Sequence, residues 1–197
     1  MIQEGKLIFS QAVDCEDLST CFGNNPSTFY GLYLLPISPV NVSSGAVSNN
    51  LEDATYKPWR MRRDEAVIFL GKTPPEARYF SFRSYLYDRQ GNSENRSILY
   101  ASLGDSLNQN VITTLTDNPF NANTMVITTG DRITNARIRN AAVAVGIPHK
   151  MINTDILAAD ILRLGLEQKS DRISMLYRIS LFTDTTEGQS YMDGPPQ

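Results

Sequence analysis

Polar and apolar residues alternate most clearly between Thr73 and Asn108. Tyr79, Ser81, Arg83, Tyr85 and Tyr87 interleave with Phe80, Phe82, Ser84, Leu86 and Asp88, the period of two that marks a strand. Its aromatic load on both faces predicts a long strand at the centre of a sheet. After the polar turn at Gly91–Arg96, the β-rich run from Ile98 to Leu103 reads as its hairpin partner or neighbour. Upstream, 6–10 and 30–35 predict short strands, the second stopped by Pro36, and 66–71 predicts a compact buried strand. Downstream, Met125 to Thr129 is a β-branched strand. It leads through Gly130-Asp131 into a helix over 133–145, with Ile138, Ala141, Ala142 and Val145 on one stripe. Gly146 and Pro148 end that helix. A second helix is expected over 155–166, capped by Asn153 or Thr154, and a last strand over 173–182, followed by a polar tail.

Strands outnumber helices, so the expected fold class is α+β: a mostly antiparallel sheet with a central long strand and two or three helices packed on one side. The 197 residues predict a single domain. Within it, 1–65 is an irregular N-terminal region with a polar arm at 37–57, 66–182 is the α+β core, and 183–197 is a C-terminal tail. The arm carries Ser, Asn, Val and Gly in place of large apolar side chains.

Hydrophobic residues make up 41% of the chain and charged residues 20%, with a formal charge of −3. That balance gives no long-range attraction for nucleic acid or anionic membranes, which require a net or locally concentrated positive field. The apolar runs at 66–70 and 141–147 are far shorter than a membrane-spanning helix, so no membrane insertion is expected. Cys15 and Cys21 stand close enough in sequence to close a small loop, and too few to make a four-ligand zinc site. A disulfide between them, with the sequons at Asn41 and Asn95 and only five lysines, points to an extracytoplasmic location, secreted or in an organelle lumen.

Gly104-Asp105-Ser106-Leu107 resembles the signature of the GDSL hydrolase family. The resemblance implies that Ser106, following a strand, is a nucleophile activated by a histidine. In that family the histidine lies in an Asp-x-x-His near the C-terminus. The sole histidine here, His149, follows Gly146-Ile147-Pro148 and lacks that aspartate, and the family's Gly-x-Asn-Asp oxyanion block is missing. Without an oriented base a serine hydroxyl is a weak nucleophile, so the turn reads first as a structural one. The run Trp59, Arg60, Met61, Arg62, Arg63 combines an aromatic with planar cationic forks suited to an acidic partner, a phosphate or a glycan. Tyr79, Tyr85 and Tyr87 could form a recognition face on the long strand. The amides of 131–133 open a helix, but Asp131 itself occupies the positive end. No metal site and no cofactor are expected.

The series TPPEARYFSF, SYLYDR, ILYASLGDSLN, DNPF, MVITTGDR and INTDIL, spread over roughly 66–182, resembles a family of uncharacterised, mostly exported α+β domains. That resemblance implies the fold and no reaction. The functional expectation is a non-catalytic extracytoplasmic domain with a structural or partner-recognition role in a protein assembly, its partner another protein chain. The competing expectation is a serine esterase or hydrolase using Ser106 and His149.

Overall fold

A computed structural model of the chain describes residues 2–10, 25, 27–35, 58–92 and 95–194. Cys15, Cys21, Asn41 and the arm at 37–57 lie outside the described residues. The first sheet is built from β1 (Lys6–Ser10), β2 (Thr28–Leu34), β4 (Ala77–Gln90), β5 (Arg96–Ser102), β6 (Leu107–Asn108) and β9 (Arg172–Phe182). Its order is β1-β2-β9-β4-β5, with β6 pairing β4 beside β5, and every pairing is antiparallel. The second sheet has the order β3-β7-β8, formed by β3 (Ala66–Lys72), β7 (Asn123–Thr129) and β8 (Ile152–Ile156). β7 and β8 run parallel, and the helix α1 (Arg132–Ala144) connects them.

The α+β class with mostly antiparallel strands is therefore present, with two sheets rather than one. Phe69 of β3 joins them: its ring lies 5.0 Å from Phe82 of β4, 6.3 Å from Tyr177 of β9 and 6.3 Å from Tyr33 of β2. Phe82 and Tyr177 stack at 4.2 Å across the β4–β9 pair, and Phe80, Ile179 and Val126 complete this core. Gly31 serves the same packing. A Cβ there would stand 2.9 Å from Phe9 Cε1 and 3.1 Å from Tyr177 Cβ, so the glycine lets the Phe9 ring cross β2 and reach Tyr177 at 5.7 Å. On the other side of the second sheet, Met125 and Ile127 pack with Ala142, Met151 and Ile152.

The helix expected at 133–145 is α1. Asp131 caps it, accepting from the Thr134 amide and hydroxyl at 2.8 Å each, and Gly146 follows at φ +93°. The helix expected over 155–166 does not form. Residues 152–156 are β8, with the proposed caps Asn153 and Thr154 inside the strand, and turns follow. Tertiary pairing overrides the helical spacing. Leu157 and Leu162 are buried in a cluster with Met61, Leu86, Leu103 and Ile173, whereas Ile161 points outward at 62% exposure, so the apolar residues plug a core from a loop. The run 66–71 is a strand but not a buried one: β3 is an edge of its sheet, Phe69 is its buried residue, and Ile68 and Leu70 are about half exposed. The polar tail contains a second helix, α2 (Thr185–Asp193), capped by Asp184, whose carboxylate accepts from the amides of Thr186 and Glu187. Tyr191 of α2 ties it to the body through Tyr177 Oη at 3.0 Å and the Lys72 carbonyl at 2.8 Å.

Candidate functional site: an arginine and tyrosine ladder

Strand alternation sorts β9 into two faces. Ile173, Met175, Tyr177 and Ile179 are buried, and Phe69 and the other core rings meet the Tyr177 ring. Arg172, Ser174, Leu176, Arg178 and Ser180 therefore lie on the opposite side. The register places Tyr85 across from Ser174, Arg83 across from Leu176 and Ser81 across from Arg178 on β4, and Tyr30 across from Arg178 on β2. These side chains share the sheet's outer face. A register shift between Leu86 and Asp88 brings Asp88 opposite Arg172, on the same side.

Rings and guanidinium groups form a continuous ladder over that face. The Arg178 guanidinium lies 5.8 Å from the Tyr30 ring and 5.6 Å from the Tyr85 ring, and its Nη2 donates to Tyr85 Oη at 2.7 Å. Tyr85 and Tyr100 are 4.9 Å apart, Tyr100 and Tyr87 are 5.9 Å apart, and Arg172 sits 5.9 Å over Tyr87. Beyond Arg172 the ladder ends in a charge cluster. Asp88, fully buried, accepts from Arg96 Nε at 2.6 Å, from Arg172 Nε at 2.9 Å to each oxygen, and from Arg172 Nη2. Burial would raise the Asp88 carboxyl, but the hydrogen bonds and charges of Arg172 and Arg96 outweigh it and hold the group below the ordinary carboxylate range. Arg60 joins the same cluster. Desolvation, then the neighbouring charges of Arg96 and Arg172, lower its pKa from the usual arginine value. The ladder thus carries four guanidinium groups and one carboxylate, a local cationic surplus on a chain of net negative charge.

Among the residues proposed from sequence, Arg60 enters this surface, donating to the carbonyls of Gln168 and Ser170. Trp59 instead bridges to Ile173 by main-chain bonds of 2.9 and 2.7 Å and packs against the buried leucine cluster. Arg62 is engaged locally by Asp64 and Glu65, and Arg63 is exposed within electrostatic range of Asp131. The four do not converge on one point. Tyr85 and Tyr87 belong to the ladder, and the period-two polar positions 172, 174, 178 and 180 are the signal that marks the outer face of β9. Their proximity came only with the strand order.

A recess of about 500 Å³ opens where β4 and β6 meet the end of β8. Arg83, Ser106, Leu107, Thr154 and Asp155 are among its walls. Asp155 accepts from Ser84 Oγ at 2.6 Å and Thr128 Oγ1 at 3.2 Å, and burial raises its carboxyl above the ordinary value against those two bonds. Gly104, at φ +156°, presents its carbonyl to both Nε and Nη2 of Arg83, which holds the Gly-Asp-Ser turn against β4. His149 is exposed in the 3-10 turn His149–Met151, does not line this recess, and makes no hydrogen bond with Ser106. Asn95 is exposed in the β4–β5 turn. Among the described residues no group of His, Cys, Asp and Glu side chains could hold a metal ion, and no helix is long and apolar enough to cross a membrane.

No family model, no curated protein and no solved structure matches the chain.

Proposed function

We propose that the chain is a non-catalytic, extracytoplasmic recognition domain that docks another protein through the outer face of its first sheet and the adjoining β5 edge. One observation carries this reading: the arginine and tyrosine ladder runs without interruption onto an edge strand whose apolar side chains face outward. Ile98 is 68% exposed, Leu99 48% and Tyr100 39%, and no described strand pairs with the far side of β5. Edge strands with open backbone groups accept an added strand, and tyrosine and arginine are the side chains that contribute most at protein interfaces. The extracytoplasmic assignment rests on the disulfide expected from the sequence between Cys15 and Cys21 and on the sequons at Asn41 and Asn95, the last of them exposed. Another protein is favoured over nucleic acid because the overall charge is negative.

The test is selection of ligands for the purified chain from a displayed peptide library, followed by binding to Ile98→Asp. An exposed substitution of this kind leaves the fold intact. Selected ligands are expected to lose affinity for the variant. Ligands that bind it unchanged and compete with nothing on the ladder would refute the docking surface.

A second reading is favoured by one observation, that Ser106 and Asp155 line the same recess. In it, Ser106 is a hydrolytic nucleophile, with Asp155 and Asp105 rather than His149 in the same recess. Labelling of Ser106 by a fluorophosphonate probe would move the assignment to a hydrolase.

A further inference from the structure

The outer face of the first sheet buries three polar atoms that have no hydrogen-bond partner among the described residues: Ser81 Oγ, Ser174 Oγ and Arg178 Nε. They belong to two adjacent strands and one side of the sheet. Ser81 stands opposite Arg178 and Ser174 opposite Tyr85, so the three spread over four residues of strand, roughly 13 Å. Tyr85 Oη receives the Arg178 Nη2 bond, and its own proton has no acceptor among the described residues. Arg83, which stands between the two serines, spends its Nε and Nη2 on the Gly104 carbonyl. Buried donors are nearly always matched by protein or ordered water, so three of them without acceptors on one face ask for a group that supplies acceptors there.

The chemistry of that ligand follows from the donors. Guanidinium cannot accept a hydrogen bond, and the hydroxyls beside it can each donate one. The Arg178 guanidinium is held beside two tyrosine rings with Nη2 bonded to Tyr85 Oη, which fixes its plane and leaves Nε to a further acceptor. Further along the same face Arg60, Arg96 and Arg172 share the one carboxylate of Asp88. We infer that this strip binds the carboxylates of an acidic, extended peptide segment of the partner protein. This rests on the recognition reading above. An extended segment puts alternate side chains on one side about 7 Å apart, a spacing that suits donors strewn along a strand. A nucleic acid or sulfated glycan meets long-range repulsion from the net negative chain, whereas a few carboxylates need only the local surplus.

The experiment titrates the full chain with a fluorescent glutamate-rich peptide, its glutamine counterpart, a heparin fragment and an oligothymidylate. The glutamate peptide is expected to bind in a salt-sensitive manner and the glutamine peptide not to bind. Arg178→Met should weaken the glutamate peptide about tenfold or more, with Arg178→Lys between it and the wild type, since lysine keeps the charge and loses the fork. Ser174→Ala, which leaves the tyrosine and arginine stack in place, should weaken it severalfold and keeps the test decisive if Arg178→Met fails to fold. Equal binding of the two peptides, or of wild type and both folded variants, overturns the inference. So does Arg178-dependent binding of heparin or oligothymidylate without the glutamate peptide. Neutral library-selected peptides that depend on Ile98 would leave the recognition reading standing while this inference falls, and failure of every ligand removes both.

Discussion

Replacing Asp88 by Asn tests whether the charge cluster at the end of the ladder is a structural anchor. Asp88 is fully buried, and two arginines converge on both of its oxygens. Asparagine keeps the shape, removes the charge and turns one acceptor into a donor that faces guanidinium N–H groups. Removing one partner of a buried ion pair costs about 3–5 kcal/mol. Water takes up part of the stranded charge here, because the Arg172 side chain is 32% exposed and that of Arg96 16%, which places the expected loss at the lower end, about 3 kcal/mol. For a chain of this length that is a fall in Tm of about 6 to 12 °C, read by calorimetry or circular dichroism at neutral pH. The pH dependence gives an independent check. Burial raises the Asp88 carboxyl, but its arginine partners hold it below its unfolded value. Its stabilisation is therefore complete above the ordinary carboxylate pKa of about 4 and is lost as pH falls through the lower folded value. Wild type and variant should converge in acid and separate above that range. A neutral-pH difference under about 2 °C, or a gap that stays constant down to acid, would refute the reasoning.

Three further outcomes follow from the same geometry. Phe69→Ala removes the ring between the two sheets and should cost about 3–5 kcal/mol in urea unfolding, whereas a loss under about 1 kcal/mol would show that the sheets are held elsewhere. Asp155 has its folded pKa raised by burial, so the wild type loses stability as pH rises through that value. Asp155→Asn should melt higher than wild type at neutral pH and equally in acid, and a lower neutral melting point would refute this account. Cys15 and Cys21 should resist alkylation before reduction in intact-mass measurements, and two alkylated thiols would remove the main argument for an oxidising compartment.

What the sequence made legible was whatever a local period encodes. The alternation at 79–88 marks β4, the β-branched run at 125–129 marks β7, and the Asp131 to Gly146 punctuation marks α1. The helix expected at 155–166 failed because its apolar spacing is shared by a strand followed by a loop that plugs a core, and only pairing with β7 decides between them. The second sheet was missed for a related reason. A half-exposed edge strand such as β3 reads like a buried one when Ala66 to Leu70 is uniformly apolar. For the site, Arg60, Tyr85 and Tyr87 were visible as residue types, and Asp88 was visible only as the polar end of a strand. Their convergence depends on β2 and β9 being neighbours although about 140 residues separate them in sequence, a separation no local pattern spans.

Among the described residues, Tyr33 Oη in the core is a buried polar atom without a partner, and three more such atoms share the outer face of the first sheet. Buried serine hydroxyls on β4 and β9 without partners among the described residues are poorer strand residues than the valine or threonine that would fit the same pleat, and each orphaned donor costs about 1–3 kcal/mol. The Asp155 carboxyl is likewise kept where burial disfavours its charged form. By contrast Asp88 and Asp171 are as deeply buried but fully matched, Asp171 by Arg89 Nε and Nη2 and by the Arg163 amide at 2.6–2.9 Å. The fold can therefore satisfy a buried polar group when the group's task is structural. Leaving Ser81 Oγ, Ser174 Oγ and Arg178 Nε unmatched among the described residues, on the face that also carries the cationic surplus, is the pattern expected where a ligand completes the hydrogen bonding.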